Sequence, residues 1–280
     1  MSADSHVHLF PPDFAAERAA LMDVEPTFAE LYRDPRTALG TAEELLEHME
    51  REGVERAVIC GFAWRDPDRC ARHNDYLLDT AARSGGRLLP FCTVNPAAGR
   101  AALDEAERCA RAGARGLGEL RPDDQSWRLD DPSMSEGLAH LAAAHGLTLL
   151  VHVSEPVGHA YPGKGGCRPE SFMAFAERYP AVTLIGAHLG GGLPFYAHMP
   201  EVARALRRSC YFDTAACHLL YEPTSLRHAV AVLGADRFLL GSDWPLASHA
   251  RARRWVEAAG LAPGEQEAII AGNLLRVLER

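Results

Sequence analysis

The sequence has no CxxC pair, and its seven cysteines, at positions 60, 70, 92, 109, 167, 210 and 217, are odd in number. Neither a zinc ribbon nor a disulfide framework is suggested, and a reducing cytoplasm is the expected location. No apolar run reaches the ~18 residues that span a bilayer, and the start lacks the basic segment and long apolar stretch of a secretory signal. A membrane partner is therefore not expected. Clustered Lys and Arg are missing too: "LRRS" and "RARRW" read as solvated helix faces, and the formal charge of -9 argues against nucleic acid. No low-complexity linker or obvious repeat divides the chain, so residues 1–280 are read as one domain.

What is present is a chain of ordinary globular composition, 47% hydrophobic and 24% charged, long enough at 280 residues for a large core. Short apolar runs recur along it: "DSHVHLF", "RAVICGF", "LLPFCTV", "ARGLGEL", "LTLLVHVS", "VTLIGAHLG", "CYFDTAA" and "RFLLGSDWP". Near-continuous hydrophobicity suits strands buried on both faces of a parallel sheet. Between them lie helical patterns such as "TAEELLEHMEREG", with Thr41 as N-cap and Gly53 as stop, and "SEGLAHLAAAHG", stopped by Gly146. Eight strands alternating with helices predict an α/β fold, a (β/α)8 TIM barrel.

In a strand, positions 6 and 8 share one face, so His6 and His8 of the opening run converge on one point. The strand ends add Glu119, His152, His188 and Asp243. A barrel gathers such ends at one rim, and buried imidazoles and carboxylates without partners are costly, so the ring calls for a divalent cation. Zinc is the leading candidate, with Mn, Fe or Co accepted by the same ligands. Glu119 has two uses open to it: bridging a second metal, or pairing with Arg121 on the same strand face.

Three connections, 10–40, 121–133 and 154–169, are longer than usual and follow strands, which places them at the rim where barrel sites are built. Arg121, His159, Tyr161 and Lys164 would suit a small anionic substrate, since an Arg fork grips carboxylate. Trp64 and Trp244 follow strand ends and could wall a cyclic one, with rim packing the competing use.

At "DSHVHL", "LLVHVSEP", "IGAHLGG", "LLGSDWP" and "AGNLLRVL" the chain resembles the amidohydrolase superfamily, in its amidohydrolase-related branch that includes the aminocarboxymuconate semialdehyde decarboxylase group. The resemblance implies a zinc or similar ion held by His6, His8, His152 and Asp243, with His188 either a ligand of a second ion or a catalytic residue. The fourth strand, "GLGEL", is similar instead to that of TatD-like hydrolases, whose Glu helps bind a binuclear centre, so the count of one or two ions stays open.

The leading expectation is hydrolysis of a small, carboxylate-bearing lactone, ester or amide by metal-activated water, with Asp243 as base and His188 stabilising the oxyanion. The alternative is non-oxidative decarboxylation, or hydration, of an unsaturated or aromatic acid. A barrel that only binds is the remaining reading. A homodimer is the default assembly, two-fold symmetry being the commonest.

Overall fold

The computed structural model describes residues 2–278 and shows eight parallel strands in the order β1 to β8. They are β1 (Ala3–His8), β2 (Arg56–Cys60), β3 (Leu88–Cys92), β4 (Gly116–Leu120), β5 (Thr148–Val151), β6 (Leu184–Gly186), β7 (Cys210–Asp213) and β8 (Phe238–Leu239). Each neighbour pair is parallel, and β8 meets β1 through Ser5 N donating to Leu240 O at 2.8 Å, Asp243 N to His6 O at 2.9 Å and His8 N to Trp244 O at 2.8 Å. The sheet is thus a nearly closed barrel, the (β/α)8 architecture expected from the alternation.

The helices form where the sequence places their signals. Thr41 caps Ala42–Glu52 through a capping box with Glu44, and Gly53 ends it in the left-handed region at φ 68°. Gly146 ends Pro132–His145 in the same way at φ 64°. Strand side chains pointing outward pack against these helices, and the strands are buried almost throughout.

The 10–40 connection is not a plain loop. It contains three short helices, Pro12–Ala16, Arg18–Val24 and Pro26–Tyr32, which bring Phe14, Phe28 and Tyr32 against Phe10, Phe62 and Trp64. This aromatic cluster covers one side of the barrel's C-terminal mouth. The segment is then pinned by Phe10 N donating to Gly40 O at 2.8 Å. A Cβ at Gly40 would lie 2.2 Å from Cζ3 of the Trp244 ring, so Gly40→Ala must displace an indole held between elements. It is expected to lower stability by about 1–3 kcal/mol, read as a shift in thermal melting.

Candidate metal centre

Six strand ends contribute to one buried floor. β1 supplies His6 and His8, β4 supplies Glu119, β7 ends on Asp213, and His152, His188 and Asp243 follow β5, β6 and β8. His188 and Asp243 have φ of 57° and 65°, a left-handed backbone that costs a non-glycine residue free energy and turns each side chain inward.

Hydrogen-bond partners fix the tautomers. His6 Nδ1 donates to Asp213 Oδ2 at 2.8 Å, and His188 Nδ1 donates to the Ala215 carbonyl at 2.9 Å, so in its neutral form each ring presents an Nε2 lone pair to the floor. Arg121 Nη1 donates to His152 Nδ1 at 3.0 Å, leaving the His152 proton on Nε2, 3.1 Å from Ser154 Oγ. The acceptor atoms then crowd one another: His6 Nε2 is 3.1 Å from His8 Nε2, and Glu119 Oε1 is 2.9 Å from His152 Nδ1 and 3.2 Å from His188 Nε2. Asp243 Oδ1 lies 3.4 Å from His8 Nε2. Buried lone pairs facing one another are unfavourable unless a positive charge stands among them. The donor set fits a divalent cation, and His8 Nδ1, buried without a hydrogen-bond partner, adds a ring not yet committed to protein.

Electrostatics point the same way. Burial opposes charge on His6, but Asp213, Glu119 and Asp243 carry its pKa up to about 10. His152 is pushed the other way, to about 4, by burial and by the Arg121 guanidinium, which keeps it a neutral imidazole. Burial also resists charge on Glu119, yet His152, His188 and His6 hold its carboxyl well below the usual range. Because a ligating imidazole must be neutral, metal uptake at pH 7 is expected to displace a proton from His6, whose pKa is raised to about 10. Apparent affinity therefore climbs with pH until that value. Titration calorimetry in buffers of unequal ionisation heat counts the proton, and a count of zero contradicts this assignment.

Above the floor is a cavity of about 630 Å³ lined by Tyr32, Phe62, Leu219, Leu220 and Leu246, with His8, Glu119, Arg121, His152, His188 and Asp243 at its polar end. His159 and Tyr161 are among its lining residues. Other rim expectations need correction. Trp64 is fully buried in the aromatic cluster, with its indole N–H donated to His73 Nδ1 at 2.9 Å, and Trp244 packs beside Gly40 rather than against the cavity. Both rings serve packing. Lys164 also stands off the cavity, tied to Glu155 Oε1 at 3.1 Å and to the Val157 carbonyl at 2.9 Å. Arg121 reaches the cavity, but its donors go to Asp124 Oδ2 at 2.6 Å, the Gly163 carbonyl at 2.7 Å and His152. It acts as a strut between the floor and the 154–169 loop, not as a free fork.

Sequence reasoning missed Asp213, which accepts from His6 and also from the backbone N–H groups of His188 at 2.9 Å and Ala215 at 3.0 Å. The signal was available, since Asp213 ends the seventh apolar run as Asp243 follows the eighth. Tyr32 and Phe62 were missed for want of any motif.

A family model described as amidohydrolase matches residues 3–280. The gamma-resorcylate decarboxylase of Polaromonas sp. is 25% identical over 114 residues, a match covering 35% of this chain and 34% of that protein, so the chain spans about a third of the curated relative. Among solved structures, 5-carboxyvanillate decarboxylase from Sphingomonas paucimobilis superposes with a TM-score of 0.81 at 19% identity, covering 99% of this chain and 98% of the other. Dihydroxybenzoic acid decarboxylase from Polaromonas sp., solved with bound manganese and the inhibitor 2-nitroresorcinol, gives 0.75 at 18% identity, covering 100% and 97%. These likenesses show a shared fold. They also correct the expectation of lactone, ester or amide hydrolysis, since these relatives are decarboxylases of aromatic acids.

Proposed function

The chain belongs to the amidohydrolase family, and from that membership we propose that it is a metal-dependent, non-oxidative decarboxylase of a small aromatic carboxylic acid. The observation that carries the reading is the cavity: apolar and aromatic walls around about 630 Å³, ample for a substituted ring, closed at one end by His8, Glu119, Arg121, His152, His188 and Asp243. The decarboxylase relatives support it.

His6, His8 and Asp243 would hold the ion, with Glu119 and His152 beside them on the floor, and zinc and manganese are both accepted by imidazole and carboxylate donors. When bound, the ion supplies a positive centre that anchors an anionic oxygen of the acid and offsets its charge. Everything else falls to the chain. Tyr32, Phe62 and Leu246 orient the ring and exclude water. Loss of carbon dioxide breaks the ring–carboxyl bond and leaves an electron pair on the ring carbon, which must gain a proton. Asp243, at the cavity floor and not bound to Glu119 as the His152 and His188 rings are, delivers it from its carboxyl oxygen and is recharged from solvent. Asp213, His188 and Arg121 keep the floor in register.

Seven free, buried cysteines are in keeping with a reducing cytoplasm, and among the described residues no helix is long and apolar enough to cross a membrane. We read the chain as one catalytic domain that takes a small molecule and no nucleic acid.

The test is a panel of hydroxylated benzoic acids offered to protein loaded with zinc or with manganese, following carbon dioxide and the decarboxylated ring by chromatography. Release of both in equal amounts supports the reading. Turnover of lactones or esters with no carbon dioxide from any acid would reject it.

A further inference from the structure

The cavity has two ends of opposite character. Its floor carries the ionisable side chains, whereas toward solvent it is walled by Leu31, Leu219, Leu220 and Leu246, all half-buried or exposed. Of the large apolar side chains left exposed among the described residues, two line the cavity: Leu219, 53% accessible, and Leu246, 62%. Both stand on closed turns. Leu219 N donates to Ala216 O at 2.8 Å and Tyr221 N to Cys217 O at 2.8 Å, which fixes the short helix Cys217–Leu220. Leu246 N donates to Asp243 O at 2.8 Å, tying the second leucine to a floor residue. Apolar surface left open at the rim of a pocket carries a hydration cost that a ligand covering it removes.

Charge is the second observation. Histidines aside, the cations lining the cavity are Arg36 and Arg121. Arg121 is spent on Asp124, His152 and the Gly163 carbonyl, and Arg36 lies against Asp34, donating from Nε to Oδ1 at 3.0 Å and from Nη2 to Oδ2 at 2.6 Å. A second carboxylate on the outer part of a substrate would meet no unengaged guanidinium. The volume of about 630 Å³ is that of a site for drug-sized ligands, more than a bare hydroxybenzoic acid fills.

We propose that the leucine-walled mouth is a binding subsite for an apolar substituent, so that the substrate is a hydroxybenzoic acid bearing an alkyl chain on the ring edge away from its carboxyl. The inference rests on the decarboxylase reading above and specifies its substrate class. With the carboxyl at the floor, the opposite edge of the ring points outward, and the chain runs past Leu220 to cover Leu219 and Leu246. The product keeps that chain. Loss of carbon dioxide replaces the ring–carboxyl bond by a ring–hydrogen bond, and the resulting alkylphenol occupies the same subsite without a carboxyl.

Chain length decides the matter. The manganese-loaded full chain is offered 5-alkyl-2-hydroxybenzoic acids from methyl to heptyl, with kcat/KM read from carbon dioxide release, and the 4-alkylphenols they would yield, with Kd read by titration calorimetry. Both are expected to improve by about two- to fourfold for each added methylene until the chain passes the leucines. The heat capacity of phenol binding should grow more negative along the series. Leu219→Asn, at an exposed position, should lower the pentyl-to-methyl ratio by about threefold or more, with melting curves verifying that it folds. Affinities that stay level or fall with chain length overturn the proposal, and so does a dependence left intact in Leu219→Asn. A dimer lost in that variant by sedimentation velocity would then assign the leucines to a second copy of the chain. Carbon dioxide is scored separately: none from any acid, with phenol affinity rising along the series, counts against the decarboxylase reading alone, whereas release with no gain along the series counts against the subsite alone.

Discussion

Asp243→Asn is expected to lower kcat for decarboxylation by about 100- to 10,000-fold, the usual contribution of a positioned proton donor, while leaving most of the affinity for the acid in place. The side chain sits at the cavity floor with Oδ1 3.4 Å from His8 Nε2, and the backbone that presents it is fixed by Asp243 N donating to His6 O at 2.9 Å. An amide keeps an oxygen for ligation but carries no transferable acidic proton, so chemistry should fail before structure does. Steady-state kinetics with ion content measured on the same sample separates the two. Full turnover in a variant that retains its metal would take the proton-delivery role away from Asp243.

The second large effect is expected at Asp213, which lies fully buried and does not line the cavity. One carboxylate accepts from His6 Nδ1 at 2.8 Å, His188 N at 2.9 Å and Ala215 N at 3.0 Å. Asp213→Ala strands three buried donors at once and leaves His6 free to rotate. Losing one partner of a buried charged pair costs about 3–5 kcal/mol, and loss of a group that orients a ligand weakens metal binding by about 10- to 100-fold. Denaturant unfolding and metal titration would both register the change. Asp213→Asn keeps one oxygen for the backbone donors and should recover much of the stability but little of the affinity. If both variants bind metal as tightly as the parent, Asp213 is only a packing residue.

The ligand-bearing strand ends were readable because their logic is local. Two-residue periodicity puts His6 and His8 together, and an ionisable group at the end of an apolar run stands out wherever it occurs. Strand lengths were less readable: "RFLLGSDWP" yields only Phe238–Leu239 as strand, since the chain bends into the floor once Asp243 adopts its left-handed φ. The three helices within 10–40 are five to seven residues each, too short for a helical period to show through. Trp64 and Trp244 were ambiguous for another reason. An indole after a strand end can turn toward the mouth or toward the packing layer, and only the positions of Phe28, Phe62 and Gly40 settle which. Lys164 was captured by Glu155, a neighbour whose role depends on how the loop folds back.

The strained backbone at His188 and Asp243 has a further implication. A residue that must hold a positive φ gives up roughly 1–3 kcal/mol relative to a relaxed alternative. Glycine would relieve it at either position, so selection for heat tolerance alone, with no demand for turnover, would be expected to erode these two positions early. Sturdier but inert descendants of this barrel should bear glycine where the parent keeps its imidazole and its acid.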